Sequence, residues 1–332
     1  MSDDLLHGGS LDRMRAAFPD ASEPWLDLST GINPWPYPVE PASADALHHL
    51  PTREAYTRCL AAMAKAMGAP AESMRLSPGS ELLIRLLPKI ISPEKTVVLS
   101  PSYGDHQQVW NASSTIVTES ADPLTHADTA DAIVLCNPNN PDGRVFSLDE
   151  LEMARARLAR RGGWLIVDEA YADLNPGFSL APCGGAPGLI ILRSFGKFFG
   201  LAGVRLGAVI APMDLLDAFD QLLGVWPVSG NALEIGAVAY SDMDWQADMR
   251  RRLSERRKRL DEILSAHRLG PVQGTDLFRY VTCEDAHTLW RRLAQQGIYV
   301  RRFAWSDRHL RIGLPASDSA EARLNAALSL SV

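Results

Sequence analysis

Six short β-rich runs recur through the middle of the chain: TVVLS (96–100), STIVTE (114–119), DAIVLC (131–136), WLIVDE (164–169), LIILRS (189–194) and RLGAVIA (205–211). Helical or turn segments separate them. One is the amphipathic LDELEMARARLARRGG (148–163), whose closing glycine pair is a helix stop. Strand–helix alternation of this kind predicts an α/β fold with a mostly parallel sheet. Ligands of such sheets sit at the carboxyl ends of the strands.

The flanks differ in texture. Residues 1–40 are irregular and rich in proline and glycine, yet they carry Trp25, Trp35 and Tyr37. That predicts an N-terminal arm that wraps something, ahead of a large domain over 41–215. From 216 to 332 the pattern predicts a smaller α+β domain. Its long helix WQADMRRRLSERRKRLDEILSAH (245–267) carries a basic run that reads as a solvated face. A chain of 332 residues with 46% hydrophobic content is long enough for a large core and more than one lobe.

Charge and cysteine usage exclude several function classes. The net charge of −7 argues against a nucleic-acid partner. No apolar run approaches a membrane span, and the acidic N-terminus lacks the apolar core of a secretory signal. Cys59, Cys136, Cys183 and Cys283 are scattered and read as reduced thiols of a cytoplasmic protein. The eight histidines are equally dispersed, so no metal site is expected.

Four motifs fall at the ends of the β-rich runs or open a helix. CNPNNPDG (136–143) places Asn140 before a proline, although the same residues make ordinary turns. In VDEAYADL (167–174), Asp168 ends an apolar run, where a carboxylate needs a cation or donors; Tyr171 lies three residues on. A helix-capping Asp would look the same. SFGKFFGLAGVRLG (194–207) sets Lys197 among glycines, phenylalanines and aliphatic residues, with Ser194 before it and Arg205 after it. Such a lysine either snorkels to water or uses its desolvated amine. LSPGSELL (76–83) opens a helix at Gly79 and Ser80, whose bare N–H groups form either an anion site or a plain cap.

Together the motifs answer one chemical need. A lysine that bonds an aldehyde must be deprotonated near neutral pH, through desolvation or nearby cations. Pyridoxal phosphate needs a carboxylate on its pyridine nitrogen, donors near its phenolic oxygen and an anion site for its phosphate. Lys197, Asp168, Asn140 with Tyr171, and Ser80, Ser194 with Arg205 match these in turn.

The order GSE, PSYG, NPNNPDG, DEAY, SFGKFFGLAGVRLG and LRIG resembles the fold-type I pyridoxal-phosphate enzymes of the aminotransferase class I/II superfamily, over nearly the whole chain. The resemblance implies that fold, with a large, mostly parallel-sheet domain and a smaller α+β domain, in a homodimer. It implies Lys197 as the lysine that binds the cofactor covalently, Asp168 on the pyridine nitrogen, and Asn140 and Tyr171 on the phenolic oxygen. It puts Gly79, Ser80, Glu81, Ser194 and Arg205 on the cofactor phosphate and Tyr103 on the ring face. Arg311 becomes the arginine for the substrate α-carboxylate, a task suited to a bidentate guanidinium.

The N-terminal HGGSLDRM (7–14) and WLDLSTGINPWPYP (25–38) resemble the threonine-phosphate decarboxylases of cobalamin biosynthesis, as do PGSELLIRLLPKI and VWPVSGNALEIG. LP at 50–51 stands where histidinol-phosphate aminotransferases, the alternative, usually carry Tyr-Pro, so that tyrosine's phosphate contact is not carried over to this chain. The resemblance implies a small phosphorylated amino acid as substrate and decarboxylation as the reaction. A phosphorylated substrate presents a second anion. His7, Gly8 and Gly9 would offer it an imidazole and bare N–H groups, Asn33 an amide and Arg302 a guanidinium.

Overall fold

The computed structural model describes residues 8–40 and 43–329. They divide into two compact units. One comprises Tyr37–Asn140 and Arg144–Gln246; the other takes the described residues of Met1–Pro36, Pro141–Gly143 and Ala247–Val332.

The first unit is built on a seven-stranded sheet. Across it lie, in order, Met74–Ser77, Gly207–Ile210, Leu189–Ser194, Trp164–Asp168, Ala132–Cys136, Lys95–Leu99 and Ile116–Ser120. Gly207–Ile210 pairs antiparallel with both neighbours, while the pairings from Leu189–Ser194 to Ile116–Ser120 are all parallel. The expected mostly parallel sheet is present, with one reversed strand. The central strands AIVLC, WLIVD and LIILRS are buried almost throughout, as helices on both faces require. Leu83, Ile84 and Leu87 of the helix Ser80–Ile90 pack with Trp110 and Phe219 against Val98, Val134, Ile166 and Ile190.

Three central strands end side by side. Cys136 pairs with Asp168, and Asp168 with Leu192, so the motifs that follow these strands emerge at one edge of the sheet. The strand Met74–Ser77 feeds the helix Ser80–Ile90 at the same edge through Gly79, held at φ +87°. Its four residues include an arginine, which hides it from the hydrophobic pattern. Gly207 lets the reversed strand approach that helix: a Cβ there would meet Ser80 N and Gly79 C at 2.7 Å.

The second unit carries a five-stranded sheet in the order Leu26–Leu28, Ile298–Phe303, Ser306–Gly313, Phe278–Thr282, Gln273–Thr275. The N-terminal residues expected to be irregular thus include a strand, paired in parallel with Ile298–Val300, and a helix, Leu11–Ala17. Three paired residues are too few to show as a period in the sequence. The basic run of the long helix is matched by acids: Arg256 reaches Glu321 at 2.7 Å and Arg257 reaches Asp276 at 2.9 Å.

Candidate active site

Every residue expected to face the cofactor lines one pocket in the first unit, at the carboxyl ends of the central strands. At one end are Gly79, Ser80, Glu81, Ser194 and Arg205. The first turn of the helix Ser80–Ile90 leaves its N–H groups without helical partners, which makes it a natural anion site. Arg205 holds a left-handed backbone at φ 55°, a strained choice for a residue with a Cβ. Glu81 steadies it at 3.6 Å and also reaches Arg85 at 3.2 Å. A Cβ on Gly79 would come within 2.9 Å of the Arg205 guanidinium, so only glycine leaves the cradle open.

Asp168 lies deeper and is buried. Its Oδ2 is 2.9 Å from His106 Nε2, and its Oδ1 accepts from Ala170 N at 3.1 Å. Burial alone would lower the His106 pKa, but the hydrogen bond to Asp168, with the Cys136 thiol nearby, outweighs it and raises the imidazole to about 10. The raised pKa favours the protonated imidazole near neutral pH. His106, Cys136 and Asp168 each offer one ligand atom within 4.8 Å of the others. His106 Nε2 and both Asp168 oxygens already take part in hydrogen bonds within the protein.

Asn140 stands at the end of a turn that is pinned twice. Asn137 Oδ1 accepts from Phe146 N at 2.9 Å, and Asn139 Nδ2 donates to Pro101 O at 3.1 Å. Tyr103 donates to Asp105 at 2.7 Å, and burial followed by that carboxylate pushes its phenol well above the usual range. Tyr171, also buried, lines the same pocket.

The lysine turn shows why phenylalanines surround Lys197. Phe195, Phe198 and Phe199 are fully buried. Phe195 stacks on Phe199 at 4.6 Å, and Trp245 lies parallel to Phe199 at 5.6 Å. Tyr37 N donates to Phe199 O at 2.8 Å. The aromatic side chains anchor the turn in the core, and Lys197 is left to line the pocket.

The residues expected to bind substrate lie in the second unit, apart from His7, which is outside the described residues. Gly9 N donates to Ser29 Oγ at 2.8 Å, and a Cβ on Gly8 would sit 2.5 Å from Ser29 O. Arg311 Nη2 donates to the same Ser29 carbonyl oxygen at 2.8 Å. Asn33 is buried, and its Oδ1 accepts from Trp35 N at 2.9 Å. Arg302 is placed differently. Its guanidinium covers Trp290, 4.9 Å from the ring centroid, on the helix-covered face of the sheet. Arg301 is the residue in register with Arg311, so these two share a face. His106 and Arg301 were not singled out from the sequence. Alternation along IYVRRF could have separated Arg301 from Arg302, whereas nothing local links His106 to Asp168.

The family model described as aminotransferase class I and II matches residues 40–327. A threonine-phosphate decarboxylase of Pseudomonas aeruginosa is 40% identical over 326 residues, covering 98% of this chain and 97% of its own. Its namesake from a Sinorhizobium species is 37% identical over 331 residues, with 99% of each chain covered. Among solved structures, a histidinol-phosphate aminotransferase from Sinorhizobium meliloti in complex with pyridoxal-5'-phosphate superposes with a TM-score of 0.80. It is 18% identical and covers 97% of this chain and 95% of its own, which shows a shared fold.

The His106–Asp168 pair has a pH signature. Because the folded pKa lies above the unfolded value near 6.5, its stabilisation is fully present below that pH and is lost as pH rises towards about 10. Thermal unfolding between pH 6.5 and 10 should show that decline, and His106→Gln should flatten it.

Proposed function

The chain belongs to the aminotransferase class I and II family, and we propose that it is a pyridoxal-phosphate-dependent carboxy-lyase. Its substrate is L-threonine O-3-phosphate, its product (R)-1-amino-2-propanol phosphate, and its setting cobalamin biosynthesis. The observation that carries this reading is the 40% identity, over 98% of the chain, to a threonine-phosphate decarboxylase.

The pocket suits the cofactor on its own chemistry. An anion cradle of bare N–H groups and Arg205 stands at one end, a buried carboxylate further in, and a lysine also lines it. Gly79, Ser80, Ser194 and Arg205 would hold the phosphate, with Glu81 orienting Arg205. Asp168 would hold the proton of the ring nitrogen, backed by His106. Asn140 and Tyr171 would donate to the phenolic oxygen, and Tyr103 would cover the ring. Pyridoxal phosphate, when bound, supplies an electron sink for the pair left at Cα.

The chain's own residues then choose the bond and move the proton. Arg311 takes the α-carboxylate. Arg301, with the Gly8–Gly9 backbone and Asn33, takes the phosphate in place of Arg302. Two anion contacts fix the torsion at Cα, and alignment of this sort is worth roughly 7–11 kcal/mol in favourable cases. The bond from Cα to the carboxylate carbon breaks and CO₂ leaves. The ammonium of Lys197 delivers a proton to Cα.

The enzyme acts as a homodimer in the cytoplasm. Leu47, Leu50, Val225, Trp226 and Val238 are more than half exposed in the first unit. The segments that carry Leu47 and Val238 adjoin, since Ser43 Oγ donates to Glu234 Oε1 at 3.1 Å, and exposed apolar side chains there suit contact with a second copy. The cysteines are free thiols, as a reducing compartment maintains. Sedimentation should give twice the chain mass, and Trp226→Asp should shift it towards monomer.

Purified protein with pyridoxal phosphate and O-phospho-L-threonine should release CO₂ and aminopropanol phosphate without any keto acid. Glutamate formed from histidinol phosphate and 2-oxoglutarate, with no CO₂, would reverse the assignment to aminotransferase. Lys197→Ala should lower turnover by at least ~10²–10⁴-fold and remove the cofactor's characteristic visible band. Arg301→Met should raise KM for the phosphorylated substrate about tenfold or more, the scale of a lost charge-assisted hydrogen bond. Arg302→Met should leave KM unchanged and cost stability of about 1 kcal/mol through the lost contact with Trp290.

A further inference from the structure

A second set of charges lies beside the pocket, and none of the roles above uses it. Glu169 follows Asp168, and Arg193 precedes Ser194; Asp168 and Ser194 line the pocket, whereas alternation turns Glu169 and Arg193 away from it. Arg193 Nη1 donates to Glu169 Oε2 at 2.8 Å, and Nη2 pairs with Asp173. Glu169 also accepts from Ser179 Oγ at 2.5 Å and from Leu180 N at 2.7 Å. Tyr240 OH donates to Asp173 at 3.2 Å. Glu169 is 1% exposed, Arg193 2% and Asp173 6%.

Stability alone does not account for this cluster. Replacing a buried ion network by neutral groups of similar size often leaves a protein as stable or more so. What the cluster does is join segments. Glu169 lies between Asp168 and Tyr171, Asp173 lies in the short turn Ala172–Leu174 just beyond, and Arg193 enters the turn that carries Lys197. The guanidinium fork binds both acids at once, so a slip of either segment breaks a charge-assisted bond in a dry interior.

We propose that Arg193, Glu169 and Asp173 form a positioning clamp that fixes the Asp168–Tyr171 segment against the Ser194–Lys197 turn. The carboxylate for the ring nitrogen, the donor for the phenolic oxygen and the lysine amine thereby keep one mutual geometry. This rests on the cofactor assignment above. The three residues touch neither cofactor nor substrate; they act through Asp168, Tyr171, Ser194 and Lys197.

Two variants of the full-length enzyme test the clamp. Glu169→Gln keeps the shape and leaves Arg193 paired with Asp173. The triple variant Glu169→Gln, Asp173→Asn, Arg193→Met removes all the charge at once. Cofactor affinity is read by titrating cofactor-free protein with pyridoxal phosphate and following the visible band. The Tm of the cofactor-free protein and the steady-state constants are measured alongside.

Both variants should fold, with a weaker Kd for pyridoxal phosphate and a displaced band maximum. The turnover number should fall by up to ~10²-fold with KM little changed, as expected for misplacement of groups at the reacting centre. A lower Tm with Kd, band and turnover unchanged would overturn the clamp. Failure of both variants to fold would also overturn it, because the cluster would then serve the fold and not the pocket. A wild-type protein that takes up no pyridoxal phosphate would instead fail the cofactor assignment, before any variant is made.

Discussion

Parallel pairing of Ala132–Cys136, Trp164–Asp168 and Leu189–Ser194 is the constraint on which the site depends. Parallel strands share one carboxyl edge, so three chain segments turn out of the sheet beside one another. Each turn then carries a different chemical group: an amide at Asn140, a carboxylate and a phenol at Asp168 and Tyr171, an amine at Lys197. Residues distant in sequence meet because the strands are adjacent and in register. The almost unbroken apolar character of those strands keeps the register under cover on both faces.

Charge placement around that edge is graded. Arg205 lies against the open helix end at Gly79, and Asp168 is buried and paired with His106. Arg205 is paired with Glu81 within the pocket wall, and Asp168 with His106, which does not line the pocket. The pocket can therefore present fixed charges to a bound group with little reorganisation. In the second unit, Arg301 and Arg311 lie opposite one another on neighbouring strands, which puts both side chains on one face of the sheet.

Much of the pocket is legible in the sequence because its residues sit in short contiguous motifs at strand ends. SFGK, DEAY and NPNNP each combine a buried run with a polar residue that the run does not explain. What is not legible depends on contacts across the fold. His106 acquires its meaning from Asp168, 62 residues away. Glu169 and Arg193 look like ordinary surface charges until the strands are paired. Arg301 and Arg302 are adjacent and chemically identical, so only the strand's phase tells which faces Arg311. The strands Met74–Ser77 and Leu26–Leu28 are too short to show a period.

The reversed strand bears on how the molecule assembles. Gly207–Ile210 closes against Gly79 and Ser80 by pairing with Met74–Ser77, far back along the chain. Loop closure over such a separation is slow, because entropy is lost before the contact is made. The parallel neighbours pair over shorter separations. A ligand of this pocket meets a finished site only in the native protein. Its binding draws the folding equilibrium forward by mass action, and the apo protein becomes the state most exposed to loss.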